Sequence, residues 1–393
     1  MPLESLARLI LLPDLELKKQ FSLGRWGVGF IVKKPTPFEV CPKCANKCYT
    51  IYDHRQTKAW DQPIRGKAVQ LIIDKRRFFC KTCQKPFMEH IPGIGKFKRT
   101  TERFRSGLCW ASENFSDLQK VEKYFRCSSD LVYRATYEQL ELRQRSRTYP
   151  LPEAIGIDEH SLRKPRYKAT EYSTIVVDHK NKKVFDLIEG RNKEDLIAAF
   201  QKIHGTENVK KVTLDLSNTF RSFCRETFIN AILIADRFHV QRLFNKKVNK
   251  YRMKVTGDDR KNPIRKLLLR NNDDIEPHER RAVRQWLNQY PDAREVYDYK
   301  EAMRRIFKMK GRNRAARALT KLTDRMAKSK LEDIRNLRKV IVSWRNEILN
   351  YHEGRLSNGR TEGFNRKAKL CQRRAFGYKS HSNYRLRLLN LCR

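Results

Sequence analysis

Residues Lys211–Asp236 read KVTLDLSNTFRSFCRETFINAILIAD. Lys211–Leu216 is a short apolar strand carrying a carboxylate, Asp215. Thr219–Phe228 has helical spacing, and Ala231–Asp236 is a buried-type strand ending in Asp236. Strand, helix and strand in this order predict an α/β unit. Upstream, Ala154–Asp158 (AIGID), Ser173–Asp178 (STIVVD) and Lys183–Ile188 (KVFDLI) read as three more strands, the last two joined by a turn at His179–Lys182. Lys193–His204 is an amphipathic helix. The whole predicts an α/β sheet that begins with a meander.

Asp158, Asp215 and Asp236 each fall at the C-terminal end of an apolar strand. In open α/β sheets that edge is where ligands bind. With the first and fourth strands as neighbours, Asp158 and Asp215 lie side by side. Two carboxylates that close repel unless a cation neutralises them, and Mg²⁺ is commonly held by carboxylates and phosphate oxygens. A third carboxylate on a helix crossing the sheet would complete a two-metal site, and Glu362 is the candidate. Its alternative reading is a helix N-terminal acid favoured by the macrodipole. Glu159 alternates to the other strand face and is expected to point away, whereas His160 shares the face of Asp158. His239 begins a helix three residues after Asp236, either supporting the site or only hydrogen-bonding Asp236.

From Arg237 to about Glu353 only helical periodicity is present, with breaks near Gly257, Pro263, Pro277, Pro291 and Gly311. Trp286 and Trp344 within it are expected in the core. Ser357-Asn358-Gly359 ends this segment, and a helix from Thr361 carries Glu362 with Arg366, Lys367, Lys369, Arg373 and Arg374. These cations are placed for the phosphates of a nucleic acid, which supply affinity rather than sequence choice, or else form a solvated basic face.

The N-terminal part is of another kind. Five of the ten cysteines fall between residues 41 and 83. Cys41/Cys44 and Cys80/Cys83 form two C-x-x-C pairs, a pattern that lets four thiolates close around one structural Zn²⁺. The long spacer between the pairs predicts an inserted hairpin, and VQLIIDKRRFF at Val69–Phe79 reads as a strand entering the second pair. Cys48 is close enough to replace one ligand. Residues 100–146 read as three short helices, with starts at Thr100-Thr101, at a Ser116/Gln119 capping box and at Ser128 or Ser129. A tight turn at Arg126–Ser129 fits a helix-turn-helix whose last helix offers Tyr133, Arg134 and Tyr137 to a DNA groove. A small packing bundle is the other reading.

Composition agrees with a polyanionic partner. The chain has 393 residues, 86 Lys and Arg against 44 Asp and Glu, and a formal net charge of +42, spread along its length. That makes an ordinary metabolic enzyme a poor expectation and double-stranded DNA the first candidate partner. The 40 aromatic residues argue against disorder despite the charge. No stretch approaches the roughly 18 apolar residues of a membrane span, and no secretory signal pattern opens the chain, so a cytoplasmic, nucleoid-associated protein is expected.

Taken with CPKC…RRFFCKTC, KRTTERF, IGIDEHS, VTLDLS, ADRFHV and NGRTEGFNRKAK, the chain resembles the ISL-three family of insertion-sequence transposases along nearly its whole length. The resemblance implies an RNase H-like catalytic domain with a DDE triad at Asp158, Asp215 and Glu362, holding two Mg²⁺. It implies an all-helical insertion ahead of the glutamate helix, and ADRFH resembles a D-x-x-H signature in which Asp236 and His239 support the site. The expected fold class is multidomain α/β plus α. The expected divisions are 1–37 as an N-terminal segment, 38–95 as the zinc module and 96–148 as the helix-turn-helix. Residues 149–250 and 356–393 form the two parts of the catalytic domain, around an insertion at 251–355. The implied activity is metal-dependent strand cleavage and transfer at terminal inverted repeats, by a homo-oligomer expected to be a dimer. A non-catalytic DNA-binding regulator and a nuclease without joining activity are the alternatives.

Overall fold

The computed structural model describes residues 12, 14–115, 117–146, 149–163, 171–257 and 262–392. The chain divides into two compact units, residues 1–147 and 148–393. It is a mixed α/β protein with fourteen helices among the described residues.

The first unit contains β1 (Glu16–Ser22), β2 (Gly27–Lys33), β3 (Glu39–Val40), β4 (Lys47–Cys48), β5 (Ile51–Ile64), β6 (Lys67–Cys80) and β7 (Lys85–Met88). Its main sheet has the order β1-β2-β6-β5, with β7 added to β6. β5 and β6 are the hairpin that fills the spacer between the cysteine pairs. Val69, Leu71 and Ile73 alternate along β6 and are buried, so one face of the sheet carries the core.

Three helices follow: α1 (Glu102–Asn114), α2 (Leu118–Phe125) and α3 (Ser129–Arg145). Thr101 caps α1 by accepting the Phe104 N–H, and Ser128 caps α3 by accepting the Leu131 N–H. Asp117 caps α2 through the Lys120 N–H. The Ser116 of the expected capping box lies outside the described residues. Arg126 is left-handed, with φ 53°, and turns the chain from α2 into α3. Phe104, Leu108, Val121, Phe125 and Val132 form the small core of the three helices.

The second unit contains β8 (Ala154–Arg163), β9 (Glu171–Asp178), β10 (Lys183–Glu189), α4 (Lys193–Phe200), β11 (Lys211–Leu214), α5 (Asn218–Thr227) and β12 (Ile232–Ala235). The strand order is β10-β9-β8-β11-β12. The first three strands run antiparallel, and β11 pairs in parallel with both β8 and β12. α4 stops at Phe200, short of the expected His204, and the chain then turns at Gly205, whose φ is +90°.

The remaining helices are α6 (Arg237–Thr256), α7 (Pro263–Leu269), α8 (Pro277–Gln289), α9 (Pro291–Lys308), α10 (Arg312–Ala327), α11 (Glu332–Ser343), α12 (Arg345–Asn350), α13 (Gly359–Arg374) and α14 (His381–Leu391). The prolines that mark breaks in the sequence are helix starts. Pro263, Pro277 and Pro291 each sit in a first turn, where the missing N–H costs nothing. α6 runs unbroken across residue 250, and α6–α12 share one apolar core with the sheet. Trp344 is buried in that core, and Trp286 packs against it. On the other sheet face Ile175, Val177, Val184 and Leu187 meet Ala368 of α13 and Tyr384, Leu388 and Leu389 of α14. No described helix is long and apolar enough to cross a membrane.

Candidate active site

β8 and β11 pair in parallel with Ile157 opposite Leu214. The next residues, Asp158 and Asp215, therefore lie beside each other where that pairing ends. Asp158 does not end its strand as expected. β8 continues against β9 as far as Arg163, opposite Glu171, so Asp158 is held in mid-strand while Asp215 sits at a free strand end. Asp158 is buried. Burial, then the charge of Asp215 and a hydrogen bond shared with it, push the Asp158 carboxyl up to about 8. Its Oδ1 accepts the Glu159 N–H at 2.8 Å, and its Oδ2 accepts from Nδ2 of Asn365 on α13 at 2.5 Å.

Asp236 stands at the N-cap of α6 but makes no capping bond to that helix. Its Oδ1 instead accepts the backbone N–H of Asn358 at 3.2 Å. His239, one turn into α6, places Nδ1 2.6 Å from Asp215 Oδ1 and 3.3 Å from Asp236 Oδ2. Burial opposes charge on His239, but its close contacts with the two aspartates and their negative charge outweigh it and raise its pKa to about 10. Ligand atoms of Asp215, Asp236 and His239 lie within 4.8 Å of one another. Asp215 Oδ1 and His239 Nδ1 are buried, and neither completes a well-aligned hydrogen bond. A buried, under-bonded carboxylate oxygen beside two further carboxylates is a donor set that fits a hard divalent cation.

Glu362 lies in the first turn of α13, half-exposed, with its carboxylate 2.8 Å from Arg366. The contact from α13 to Asp158 is made by Asn365, almost one turn further on. Glu159 lines an open cleft of about 270 Å³ together with Asp215, Ser217, His239, Arg242 and Lys246. Its carboxylate reaches Arg191 at 2.7 Å rather than the aspartates, so it forms the rim and turns away from Asp158 as strand alternation predicts. Arg242 and Lys246 are cations at this cleft that sequence reasoning missed. Their one-turn spacing on α6, after His239, was the available signal.

Asn358 clasps the start of α13 to the sheet. Its Nδ2 donates to the Ile157 carbonyl at 3.2 Å, and its Oδ1 accepts from Thr213 at 3.0 Å and from Thr361 at 2.5 Å. Gly156 makes room for this clasp, since a Cβ there would come within 2.5 Å of Thr361 Oγ1 and 2.7 Å of Asn358 Oδ1. Asp178 and Asp186 serve elsewhere: Asp178 closes the β9–β10 turn onto Asn181, and Asp186 pairs with Arg385.

Of the basic candidates, Arg366, Lys369 and Arg373 are exposed on α13. Arg134 is exposed on α3 and pairs with Asp130 at 2.6 Å. Tyr133 is exposed beside Tyr137, with ring centroids 4.6 Å apart.

The cysteine pairs converge in the first unit. Cys41 Sγ lies 3.9 Å from Cys83 Sγ, and Cys44 Sγ lies 3.5 Å from Cys80 Sγ. A tetrahedron with Zn–S bonds of about 2.3 Å has edges of about 3.8 Å, so the four thiols fit Zn²⁺. The Cys83 N–H leads the groups that hold Cys80 down at about 6, while hydrogen bonding with Cys44 and burial push Cys83 up to about 12. Cys48 is outside the set; it is buried beside it, 3.6 Å from the Asn46 carbonyl, and burial pushes it to about 11.

Comparison with known proteins finds a family match in each unit. The model of the ISL3 DDE family, described as a transposase, matches residues 155–388. A second model, described as the zinc-finger of transposase IS204/IS1001/IS1096/IS1165, matches residues 37–83. The transposase for insertion sequence element IS1001 of Bordetella parapertussis is 23% identical over 401 residues, covering 95% of this chain and 98% of that protein. With more than half of its length in the first match, the chain belongs to the ISL-three (ISL3) family of DNA transposases.

Proposed function

We propose that this transposase cuts and joins DNA at a DDE-type centre formed by Asp158, Asp215 and Glu362, supported by Asp236 and His239. The observation that carries the reading is the apposition of Asp158 and Asp215 at the end of the β8–β11 pairing, with Asp158 raised to about 8. Such a pair stores a demand for positive charge that a cation would meet. The antiparallel β10-β9-β8 meander followed by parallel β11 and β12 supports an RNase H-like core.

Two Mg²⁺, when bound, would activate water or a 3′-hydroxyl and stabilise the leaving oxygen. The chain's own residues prepare the site. Asn365 orients Asp158, His239 sits against Asp215, and Asn358 secures the start of the helix that carries Glu362. Glu362, which pairs with Arg366 at 2.8 Å, would have to leave that partner to join the aspartates. Arg366, Lys369 and Arg373 would then meet DNA phosphates, with Arg242 and Lys246 at the cleft. No covalent protein–DNA intermediate is needed, because each step is an in-line displacement.

The four-cysteine module and a helix-turn-helix formed by α1–α3 recognise the terminal inverted repeats, with Tyr133 and Arg134 of α3 toward the groove. Divisions at residues 95, 148 and 355, a dimer on paired ends and a nucleoid-associated cytoplasmic location belong to this proposal; the expected divisions at 37 and 250 do not, because β2 pairs with β6 and α6 crosses residue 250. The test is cleavage and strand transfer on a duplex carrying the element's own end, with Mg²⁺. Cutting at the repeat boundary followed by joining supports the proposal. Cutting without joining makes the protein a nuclease, and binding without cutting in Mg²⁺ or Mn²⁺ makes it a regulator.

A further inference from the structure

His160 lies two residues after Asp158 on β8, so both side chains leave the same face of the strand. His160 is buried, yet both of its ring nitrogens are engaged. Nδ1 lies 3.1 Å from Asn365 Oδ1, and Nε2 lies 2.7 Å from the hydroxyl of Tyr384 on α14. The Tyr384 ring stacks on the imidazole at 5.7 Å between centroids. Asn365 Nδ2 completes the path with its 2.5 Å contact to Asp158 Oδ2.

The direction of every bond follows from the carboxylate end. In the ionised form that would hold a cation, Asp158 only accepts, so the NH₂ of Asn365 faces it. The Asn365 carbonyl then faces His160 and only accepts, so His160 carries its proton on Nδ1. In the neutral ring Nε2 is then the acceptor, so the Tyr384 hydroxyl donates to it. One amide orientation, one tautomer and one hydroxyl rotor are thereby fixed by elements that are distant in sequence. All members of the path are uncharged groups. They orient Asp158 without neutralising it, which an arginine or lysine in the same place would do. The demand of the Asp158–Asp215 pair for a cation is left intact.

We propose that Tyr384, His160 and Asn365 form a neutral hydrogen-bond chain that positions Asp158 for a divalent cation. The three are positioning residues, and the inference rests on the reading of Asp158 as a metal ligand given above. Loss of a hydrogen-bonded group behind a ligand typically lowers metal affinity or activity about 10–100-fold.

The test uses the full-length, zinc-loaded protein and five variants: Asn365→Ala, Tyr384→Phe, the double variant of these two, His160→Gln and Asp158→Ala. Mn²⁺ affinity is read from the free-ion signal in electron paramagnetic resonance, and end cleavage is followed against Mg²⁺ concentration. Thermal melting checks the fold. Asn365→Ala is expected to weaken Mn²⁺ binding by about 10–100-fold and to move the Mg²⁺ half-saturation upward by a similar factor, with cleavage recovering at high Mg²⁺. Tyr384→Phe keeps the stacked ring and is expected to show a smaller shift of the same kind. The double variant is expected to match Asn365→Ala, because Tyr384 acts only through the chain.

Additive losses in the double variant overturn the proposal. So does unchanged Mn²⁺ affinity in a folded Asn365→Ala protein. If Asn365→Ala melts early, an unchanged affinity in both Tyr384→Phe and His160→Gln overturns it instead. Asp158→Ala separates this failure from that of the underlying reading: retained Mn²⁺ binding and cleavage in that variant mean that Asp158 is not a ligand at all.

Discussion

The two metal-type clusters of this chain meet the same electrostatic problem in different ways. In the first unit, four thiols from two short turns close on one another with sulfur separations of 3.5 and 3.9 Å. Nothing is left open, and the cluster holds together segments that would otherwise have only a small core. In the second unit, Asp158, Asp215 and Asp236 arrive on separate strands, with Asn358 and Asn365 reaching them from about 120 to 200 residues away in sequence. This cluster opens on a cleft of about 270 Å³ and leaves under-bonded oxygen and nitrogen atoms. Soft, closed and local is the pattern of a structural ion; hard, open and assembled from afar is the pattern of a reactive one.

The largest effect that sharpens this contrast is expected from Cys80→Ser. Structural zinc sites contribute apparent binding energies of about 10–16 kcal/mol, so losing one thiolate should release the metal and unfold the module. Native mass spectrometry should show no zinc, and end binding should fall. Melting of the second unit should stay as in the wild type; coupled loss of both units would break the contrast.

Next come Asp158→Ala and Asp215→Ala. Each should reduce end cleavage by at least about 10²–10³-fold, the range for removing one charge-stabilising group, while binding in a mobility-shift assay survives. Equal loss of binding would make these aspartates structural.

Asp236→Ala should have a smaller effect. Asp236 accepts the Asn358 N–H and touches His239, so its removal loosens α13 and leaves His239 with Asp215 alone. A loss of about 10–100-fold in cleavage is expected, and a loss as large as that of Asp215→Ala would promote Asp236 to a metal ligand.

The smallest effect is on pH dependence. Asp158 is raised to about 8, so the folded, metal-free unit binds this proton more tightly than the unfolded chain does. Its stability therefore falls as pH rises from about 4 toward 8. His239, raised to about 10, acts in the same direction: its contribution is full below about 6.5 and is lost as pH rises through 10. Urea unfolding at pH 5.5 and 8 should show the decline in chelator and a flatter profile in saturating Mg²⁺. A rise in stability with pH would contradict the assignment of these two shifts.

The same contrast governs what could be read in advance. The cysteine pairs, the hairpin between them and the caps at Thr101 and Ser128 are local, so spacing alone reveals them. The strands of the second unit also show in their apolar runs. The environment of Asp158 does not, because the continuation of β8 to Arg163 depends on pairing with β9 rather than on β8's own pattern. Asn358 reads as a turn residue and is instead a buried clasp, which depends on the space left by Gly156. Asn365 reads as one more polar position on a basic helix. Only the crossing of α13 over β8 turns it toward Asp158, and the 362–365 spacing was the one hint that both side chains share a helix face.

The central claim is that the aspartates of the second unit, and not the cysteines, hold the reactive cation. Anomalous diffraction from crystals of the protein bound to its element end, soaked in Mn²⁺ and measured at the manganese and zinc edges, tests it most directly. A manganese peak shared by Asp158 and Asp215, with zinc confined to Cys41, Cys44, Cys80 and Cys83, is the predicted result. Manganese held by Asp236 and His239 with Asp158 unligated, or no manganese near β8 and β11, would contradict it.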